Sequence, residues 1–236
     1  MLKKNPSKTD QVIYYNSLYK NKETSMSPWN KKIAKYLITR KNKKIAKVFD
    51  VGCGKGDLLY HLTKNGYEQK NMSGIDLSPV GAKTAEKLMP KGHFEGKSLY
   101  EYKTKEKYDY IILAEVIEHL ENFHKGVDML SRLLGKNGEI IVSFPNYFNF
   151  PWLGVRLASE FFNKPNWIVL QPIDRIYTYS YIKEQFAKRD LSLAFASGAV
   201  YLPPILFQYE NDKFHNIMNK LRLQPFAFHP VMAFRK

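Results

Sequence analysis

The apolar positions of this chain fall into short, near-continuous runs separated by stretches of helical periodicity. Residues 46–51 form such a run and end in Gly52-Cys53-Gly54-Lys55-Gly56, which predicts a buried strand entering a tight turn. A helix is expected over 57–65, closed by Gly66. A second strand follows over 73–77, and Ser78-Pro79 supplies an N-cap and a first-turn proline for the next helix. Strands over 108–114 and 139–144 flank a helix over 124–134 that Gly135 ends. After residue 145 the rhythm breaks for about 30 aromatic-rich residues. It resumes with a helix over 179–189, a strand over 191–196, a helix over 214–223 and a strand over 226–234. Much of 11–38 reads as helical, with Ile33, Ala34, Leu37 and Ile38 as its last apolar positions. Apolar strands alternating with helices predict an α/β fold, a parallel sheet covered on both faces. The expected division is a leading helical segment, 1–45, and one domain, 46–236, with an insertion at about 147–177.

Composition narrows the class. The 236 residues suit one decorated α/β domain, and 44% hydrophobic content is too apolar for a disordered chain. The single cysteine, Cys53, excludes an intramolecular disulfide framework and a four-cysteine zinc site. No apolar run reaches the length of a spanning helix and the N-terminus lacks a signal-peptide core, so a cytoplasmic protein is expected. The net charge of +15 is unevenly placed. Residues 1–47 hold 13 Lys and Arg against Asp10 and Glu23, while the other 189 residues hold 24 basic and 20 acidic groups. The basic leader either meets an anionic surface or is a solvated turn at Arg40-Lys41-Asn42-Lys43-Lys44.

The glycine turn carries the first chemical signal. Glycines at 52, 54 and 56 let a backbone approach a ligand. The dinucleotide pattern would place its third glycine at 57, where this chain has Asp57, and no Gly-Lys-Ser/Thr follows to make a P-loop. What remains is Asp50-x-Gly-x-Gly-x-Gly between a strand and a helix, read either as a ligand turn or as a tight turn alone. Asp76 stands 24 residues after Gly52 at the end of the second strand, placed to accept from both hydroxyls of a ribose, or to cap the helix behind Ser78.

With four ordered segments the sequence resembles the class I S-adenosylmethionine-dependent methyltransferases. These are Val48-Phe-Asp-Val-Gly-Cys-Gly-Lys-Gly-Asp57, Gly74-Ile-Asp-Leu-Ser78, the run from Tyr108 through Glu115-Val-Ile-Glu-His119 to Leu120, and Leu134-Gly-Lys-Asn-Gly-Glu-Ile-Ile-Val142. The resemblance implies a Rossmann-like, seven-stranded, mostly parallel sheet with a reversed last strand, and S-adenosylmethionine as cofactor, leaving as S-adenosylhomocysteine. Asp50 and the turn of Gly52, Cys53, Gly54 and Gly56 would hold its methionine end, Asp76 the ribose, and Leu77 and Leu99 the adenine faces. Many relatives have an aspartate after the third strand's glycine to accept from the adenine amino group. Here Gly96-Lys97-Ser98 stands there, and lysine has no acceptor, which leaves Ser98 or the backbone for that contact. In relatives a leading segment folds over the cofactor. Tyr14, Tyr15, Tyr19 and Trp29 of this one either shape an acceptor pocket or pack ordinarily.

Glu115, Glu118 and His119 share a face if their stretch is helical. Three roles stay open: His119 as general base, the trio as ligands of a divalent cation, or a structural cluster with Glu115 beside the cofactor's amino group. The segment is similar to that of ubiquinone-pathway O-methyltransferases. It is also similar to that of small-RNA 2′-O-methyltransferases, where a further histidine completes a metal site. Pro172-Ile-Asp-Arg-Ile-Tyr-Thr-Tyr179 offers no histidine. Beyond Ser143-Phe-Pro-Asn146, a helix from Pro151 would group Leu153, Leu157 and Phe161 on one face and Arg156, Ser159, Glu160 and Asn163 on the other. Core packing of the apolar face is the expectation, with a lid that touches substrate or membrane as the alternative. The function expected is O-methylation of a small molecule, glycan precursor or lipid-linked acceptor. An RNA 2′-O-methyltransferase and a non-catalytic S-adenosylmethionine-binding protein are the rivals.

Overall fold

The computed structural model describes residues 7–21, 26–161, 172–202, 206 and 210–236. Two helices, α1 (Lys8–Asn21) and α2 (Pro28–Ile38), precede the alternating part. There β1 (Val48–Val51), α3 (Asp57–Lys64), β2 (Met72–Asp76), α4 (Pro79–Leu88), β3 (His93–Gly96), β4 (Tyr108–Ala114), α5 (Phe123–Leu133) and β5 (Leu134–Ser143) follow one another. The chain continues through α6 (Phe150–Phe161), α7 (Tyr179–Ala187), β6 (Ser192–Val200), α8 (Asp212–Lys220) and β7 (His229–Arg235). The seven strands form one sheet in the order β3-β2-β1-β4-β5-β7-β6. β7 runs antiparallel to both neighbours, whereas the pairs among β1 to β5 are parallel. This is the expected sheet with its reversed last strand.

Side-chain alternation along the strands separates two cores. Ile111 and Leu113 of β4, Ile140 and Val142 of β5 and Met232 and Phe234 of β7 pack with Val127 and Leu130 of α5 and Ile182 and Phe186 of α7. Their neighbours Tyr110, Ile112, Ile141, Val231 and Ala233 point the other way, onto α2, α3 and α4. Helices therefore cover both faces, which explains why these strands are apolar at nearly every position. Ser27, Ser78, Asn122 and Thr178 each cap a helix with a side-chain oxygen. β5 starts earlier than the pattern predicts because Leu134 already pairs with Tyr108. β7 starts later because residues 224–226 form a single 3₁₀ turn around Pro225.

Two elements differ from expectation in their packing. Arg40, part of the basic run, is not simply solvated. Its guanidinium lies 4.1 Å over the Tyr36 ring and 2.8 Å from Glu139 Oε2, which also accepts the Tyr36 hydroxyl at 2.7 Å. Arg235 binds the other oxygen, so the buried Glu139 carboxylate is fully paired and ties α2 and β7 to the foot of β5. Lys41 and Lys44 remain exposed. In α6 the buried side is turned from the one expected: Leu153 packs on the inner cluster, but the other two residues of its stripe do not. Trp152 and Arg156 face inward, while Leu157 is 56% and Phe161 84% exposed. The cause is at the helix's inner neighbours: Trp152 stacks on Phe228 at 4.1 Å, and Arg156 finds the Tyr147 hydroxyl at 2.9 Å and Asp174 at 3.4 Å. A flat aromatic seat and a half-buried acid select one tryptophan and one arginine over the leucine stripe. Asn163 lies outside the described residues, as do the side chains of Ser159 and Glu160.

Candidate active site

A cleft of about 320 Å³ opens at the carboxyl edge of β1, β2 and β4, the edge at which open α/β sheets bind ligands. Its floor is the glycine turn. Gly52, Gly54 and Gly56 have φ of 78°, 52° and 83°, conformations that favour glycine. A Cβ on Gly56 would lie 2.9 Å from both Ala85 Cβ and Met89 Cε, and one on Gly54 would lie 3.0 Å from the Tyr19 hydroxyl oxygen. The N–H groups of Gly52 and Cys53 both donate to the Ile75 carbonyl, at 2.7 and 3.0 Å, so the turn is bolted to β2. Cys53 is buried against Gly74, and burial pushes its thiol well up.

Asp76 Oδ2 accepts the Gly54 N–H at 2.8 Å and the Tyr19 hydroxyl at 3.4 Å, and Oδ1 accepts the Ser78 N–H at 2.7 Å. Burial pushes this carboxyl up to about 6, with its three donors holding it back. Asp50 is buried as well, and its Oδ1 has no partner among the described residues. Burial, then the Asp76 charge, pushes it up to about 8. Leu77, Ser98 and Leu99 line the cleft beside them. Ser98 Oγ accepts the Tyr100 N–H at 3.3 Å, and Lys97 pairs with Glu95. From the leading segment α1 contributes Gln11, Tyr15, Leu18 and Tyr19, and the start of α2 contributes Ser27, Trp29 and Asn30. Tyr14 is not among the lining residues; its ring meets Tyr15 edge-on at 5.2 Å.

Glu115 and His119 line the opposite end of the cleft. Their stretch is not an α-helix: Glu115 has φ 57° and residues 117–119 form one 3₁₀ turn. The trio therefore divides. Glu115 and His119 face the cleft, and Glu118 is 1% exposed beneath them with Oε2 unpartnered among the described residues. Burial, then the Glu115 charge, raises the Glu118 carboxyl well above its usual range. His119 Nδ1 is hydrogen-bonded to the Ile173 carbonyl, which assigns the ring proton to Nδ1 and leaves a lone pair on Nε2. Nε2 has no hydrogen-bond partner among the described residues and lies 3.5 Å from Glu118 Oε1. Burial lowers the imidazole to about 4, so it is neutral near pH 7. Arg175 fixes the turn: its N–H donates to the Glu118 carbonyl and its guanidinium to the carbonyls of Leu120 and Glu121. Among the described residues no group of three His, Cys, Asp or Glu side chains is placed to hold a metal ion.

Tyr19, read from the sequence as a pocket or packing aromatic, touches both Asp76 and the glycine turn. Sequence reasoning passed over two contributors: Arg175 locks the Glu118–His119 turn, and His229 stands 2.9 Å from Glu115. Their partners lie far away along the chain, and no local spacing marks them. The cleft is acidic although the chain is basic. Asp50, Asp57, Asp76, Glu115 and Glu121 line it against Lys55 and Lys97. An unpartnered buried carboxylate oxygen, a glycine turn with no room for a Cβ and a second buried carboxylate at the end of β2 together fit a cationic ligand.

The fold and this cleft define a class I methyltransferase. A family model described as a methyltransferase domain matches residues 22–193, and the chain belongs to that family, whose methyl donor is S-adenosylmethionine. The chain is 24% identical over 227 residues to the mitochondrial ubiquinone biosynthesis O-methyltransferase of Dictyostelium discoideum, covering 82% of this chain and 71% of that one. It is 30% identical over 117 residues to the ubiquinone biosynthesis O-methyltransferase of Rickettsia canadensis, covering 48% of each. Among solved structures, magnesium protoporphyrin IX methyltransferase of Synechocystis PCC 6803 with bound S-adenosylhomocysteine superposes with a TM-score of 0.67 at 16% identity, over 97% of this chain and 99% of that one.

Proposed function

We propose that the chain transfers a methyl group from S-adenosylmethionine to a hydroxyl of a small molecule, glycan precursor or lipid-linked acceptor. The observation that carries this reading is His119, a neutral imidazole that lines the same cleft as the Asp50–Gly54–Asp76 turn and whose buried Nε2, 3.5 Å from Glu118 Oε1 and without a hydrogen-bond partner among the described residues, keeps a lone pair for a hydroxyl proton. The relatives named as O-methyltransferases support the choice of oxygen.

When bound, the cofactor supplies a methyl carbon on a positively charged sulfur. In this reading Asp76 accepts from the ribose hydroxyls, Leu77 and Leu99 flank the adenine, and Ser98 or the backbone beside it meets the amino group. Asp50 and the N–H groups of Gly52, Cys53, Gly54 and Gly56 frame the methionine end, and the Glu115 carboxylate faces its ammonium. His119 orients the acceptor hydroxyl and takes its proton as the oxygen gains the methyl group. The segment 1–45, through Tyr15, Tyr19 and Trp29, shields the cleft from water. Leu157, exposed on α6 within the segment 147–177, gives that segment an apolar position that suits a hydrophobic acceptor or its carrier. Exposed Lys41 and Lys44 suit an anionic one.

The test is S-adenosylhomocysteine production against pools of small phenols and alcohols, glycan precursors, polyprenyl-linked lipids and RNA, with Mg²⁺ and with chelator. Chelator-resistant turnover on a hydroxyl of a non-RNA pool is expected. Turnover on RNA alone that requires Mg²⁺ would replace this reading, and cofactor binding without turnover on any pool would make the protein a binding module.

A further inference from the structure

His229 is a histidine in the core of a sheet edge, stacked on Trp29 with ring centroids 4.4 Å apart and an interplanar angle of 26°. Its Nδ1 lies 2.9 Å from Glu115 Oε2, a close polar contact that falls short of an aligned hydrogen bond. Ser143 holds the same glutamate from the other side: its hydroxyl donates to Oε1 at 2.8 Å, and its carbonyl accepts the Glu115 N–H at 3.1 Å. One carboxylate oxygen is thus hydrogen-bonded and the other has the His229 ring beside it, on a residue whose φ of 57° is itself unfavourable for a side chain larger than glycine.

Topology explains how three distant residues meet. Ala114 at the end of β4 pairs with Ser143 at the end of β5, and Ser143 pairs with Val231 of β7. Because β7 runs in reverse, its first residue lands at the edge where β4 and β5 finish. A parallel last strand would leave His229 at the far edge. Trp29 completes the arrangement, since it lines the cleft on one side and covers the imidazole on the other.

We propose that His229 is a positioning residue for the methyl-donor site: with Ser143 it fixes the Glu115 carboxylate, which then receives the ammonium of the donor's methionine end. The proposal rests on reading this cleft as the S-adenosylmethionine site. It assigns the reversed strand a binding role beyond closing the sheet.

Calorimetric binding of two probes tests it. S-Adenosylhomocysteine carries the ammonium; 5′-methylthioadenosine keeps the nucleoside and lacks the amino-acid portion. His229→Leu is expected to weaken S-adenosylhomocysteine about tenfold and to leave 5′-methylthioadenosine within about twofold, the scale of one charge-assisted contact. His229→Asn, which can keep a donor near the position of Nδ1, is expected to recover most of the loss. If His229→Leu does not fold, Ser143→Ala removes the hydroxyl donor to Oε1, and the same selective loss is expected. Equal affinity of wild type and both variants for S-adenosylhomocysteine overturns the proposal, and so does a parallel loss of both probes. A wild-type protein that binds neither probe overturns the site reading itself.

Discussion

The turn between β1 and α3 and the segment between β5 and α7 flank the same sheet edge but are held by different means. At the turn, backbone does the holding: the N–H groups of Gly52 and Cys53 meet the Ile75 carbonyl, that of Gly54 meets Asp76, and three glycines take left-handed conformations. In the later segment side chains hold α6: Trp152 on Phe228, and Arg156 between Tyr147 and Asp174. Backbone anchoring requires particular residues at fixed spacing, so it leaves a trace in the sequence. Side-chain anchoring requires only a complementary partner, which any distant part of the chain can supply. The turn is therefore predicted to tolerate almost no substitution, and α6 to tolerate many.

The largest effect expected is at Gly56. Valine there meets Ala85 and Met89 at 2.9 Å in a left-handed conformation, combining overpacking with backbone strain. A loss of about 3 kcal/mol or more is expected in chemical unfolding, with cofactor binding lost by calorimetry. A Gly56→Val protein of wild-type stability would show that the turn is looser than its geometry.

Replacing His119 by Gln is next. Turnover should fall about 10²- to 10⁴-fold, the usual worth of a general base, with cofactor affinity changed little. Because burial holds this imidazole near 4, the acid limb of the turnover profile should fall well below pH 6. An acid limb at the ordinary histidine value would assign the proton transfer elsewhere.

Asp76→Ala should weaken cofactor binding about 10- to 100-fold, as expected for lost hydrogen bonds to a charged group, and unchanged affinity would end the ribose assignment. The two buried carboxyls also predict a pH effect. Asp76 near 6 and Asp50 near 8 both stand above the ordinary 3.8, so between these limits the native state binds more protons than the unfolded one. Stability of the ligand-free protein should fall as pH rises from about 4 to 8, by linkage. A cationic ligand favours the ionised forms, so its binding at pH 7 should release a proton. Calorimetry in buffers of differing ionisation heat reads that release, and Asp50→Asn should reduce it.

These contrasts mark how far the sequence was legible. Strand periodicity and the Ser78 cap at the start of α4 are local signals from which an α/β sheet covered on both faces follows, whereas the reversed last strand was implied by the family resemblance. Asp76 was located by its spacing from the glycines, and Asp50, Leu77, Leu99 and Ser98 were assigned by the resemblance; all of them line one cleft. What spacing could not show was the division of Glu115, Glu118 and His119. A left-handed residue and a 3₁₀ turn replace the helix that i, i+3, i+4 assumes. Nor could helical periodicity orient α6, because Leu153, Leu157 and Phe161 make a better apolar stripe than the Trp152 and Arg156 that bury. The choice is made by Phe228 and Asp174, which the periodicity of α6 does not contain.

The smallest effect expected is also the sharpest test of the contrast. Gly154 lies in α6, and a Cβ built there meets nothing within 4 Å among the described residues. Its backbone is not left-handed. Alanine restricts the unfolded chain and loses no native contact, so Gly154→Ala should stabilise the protein by about 0.5–1 kcal/mol, the helix-interior difference between the two residues. The sign is what matters. At Gly56 an added side chain costs because backbone and neighbours close around the glycine; at Gly154 the same kind of change is favourable because α6 is held from its other side, by Trp152 and Arg156. A destabilising Gly154→Ala in chemical unfolding would mean that the outer face of α6 is packed, and the comparison between the two regions would fail there.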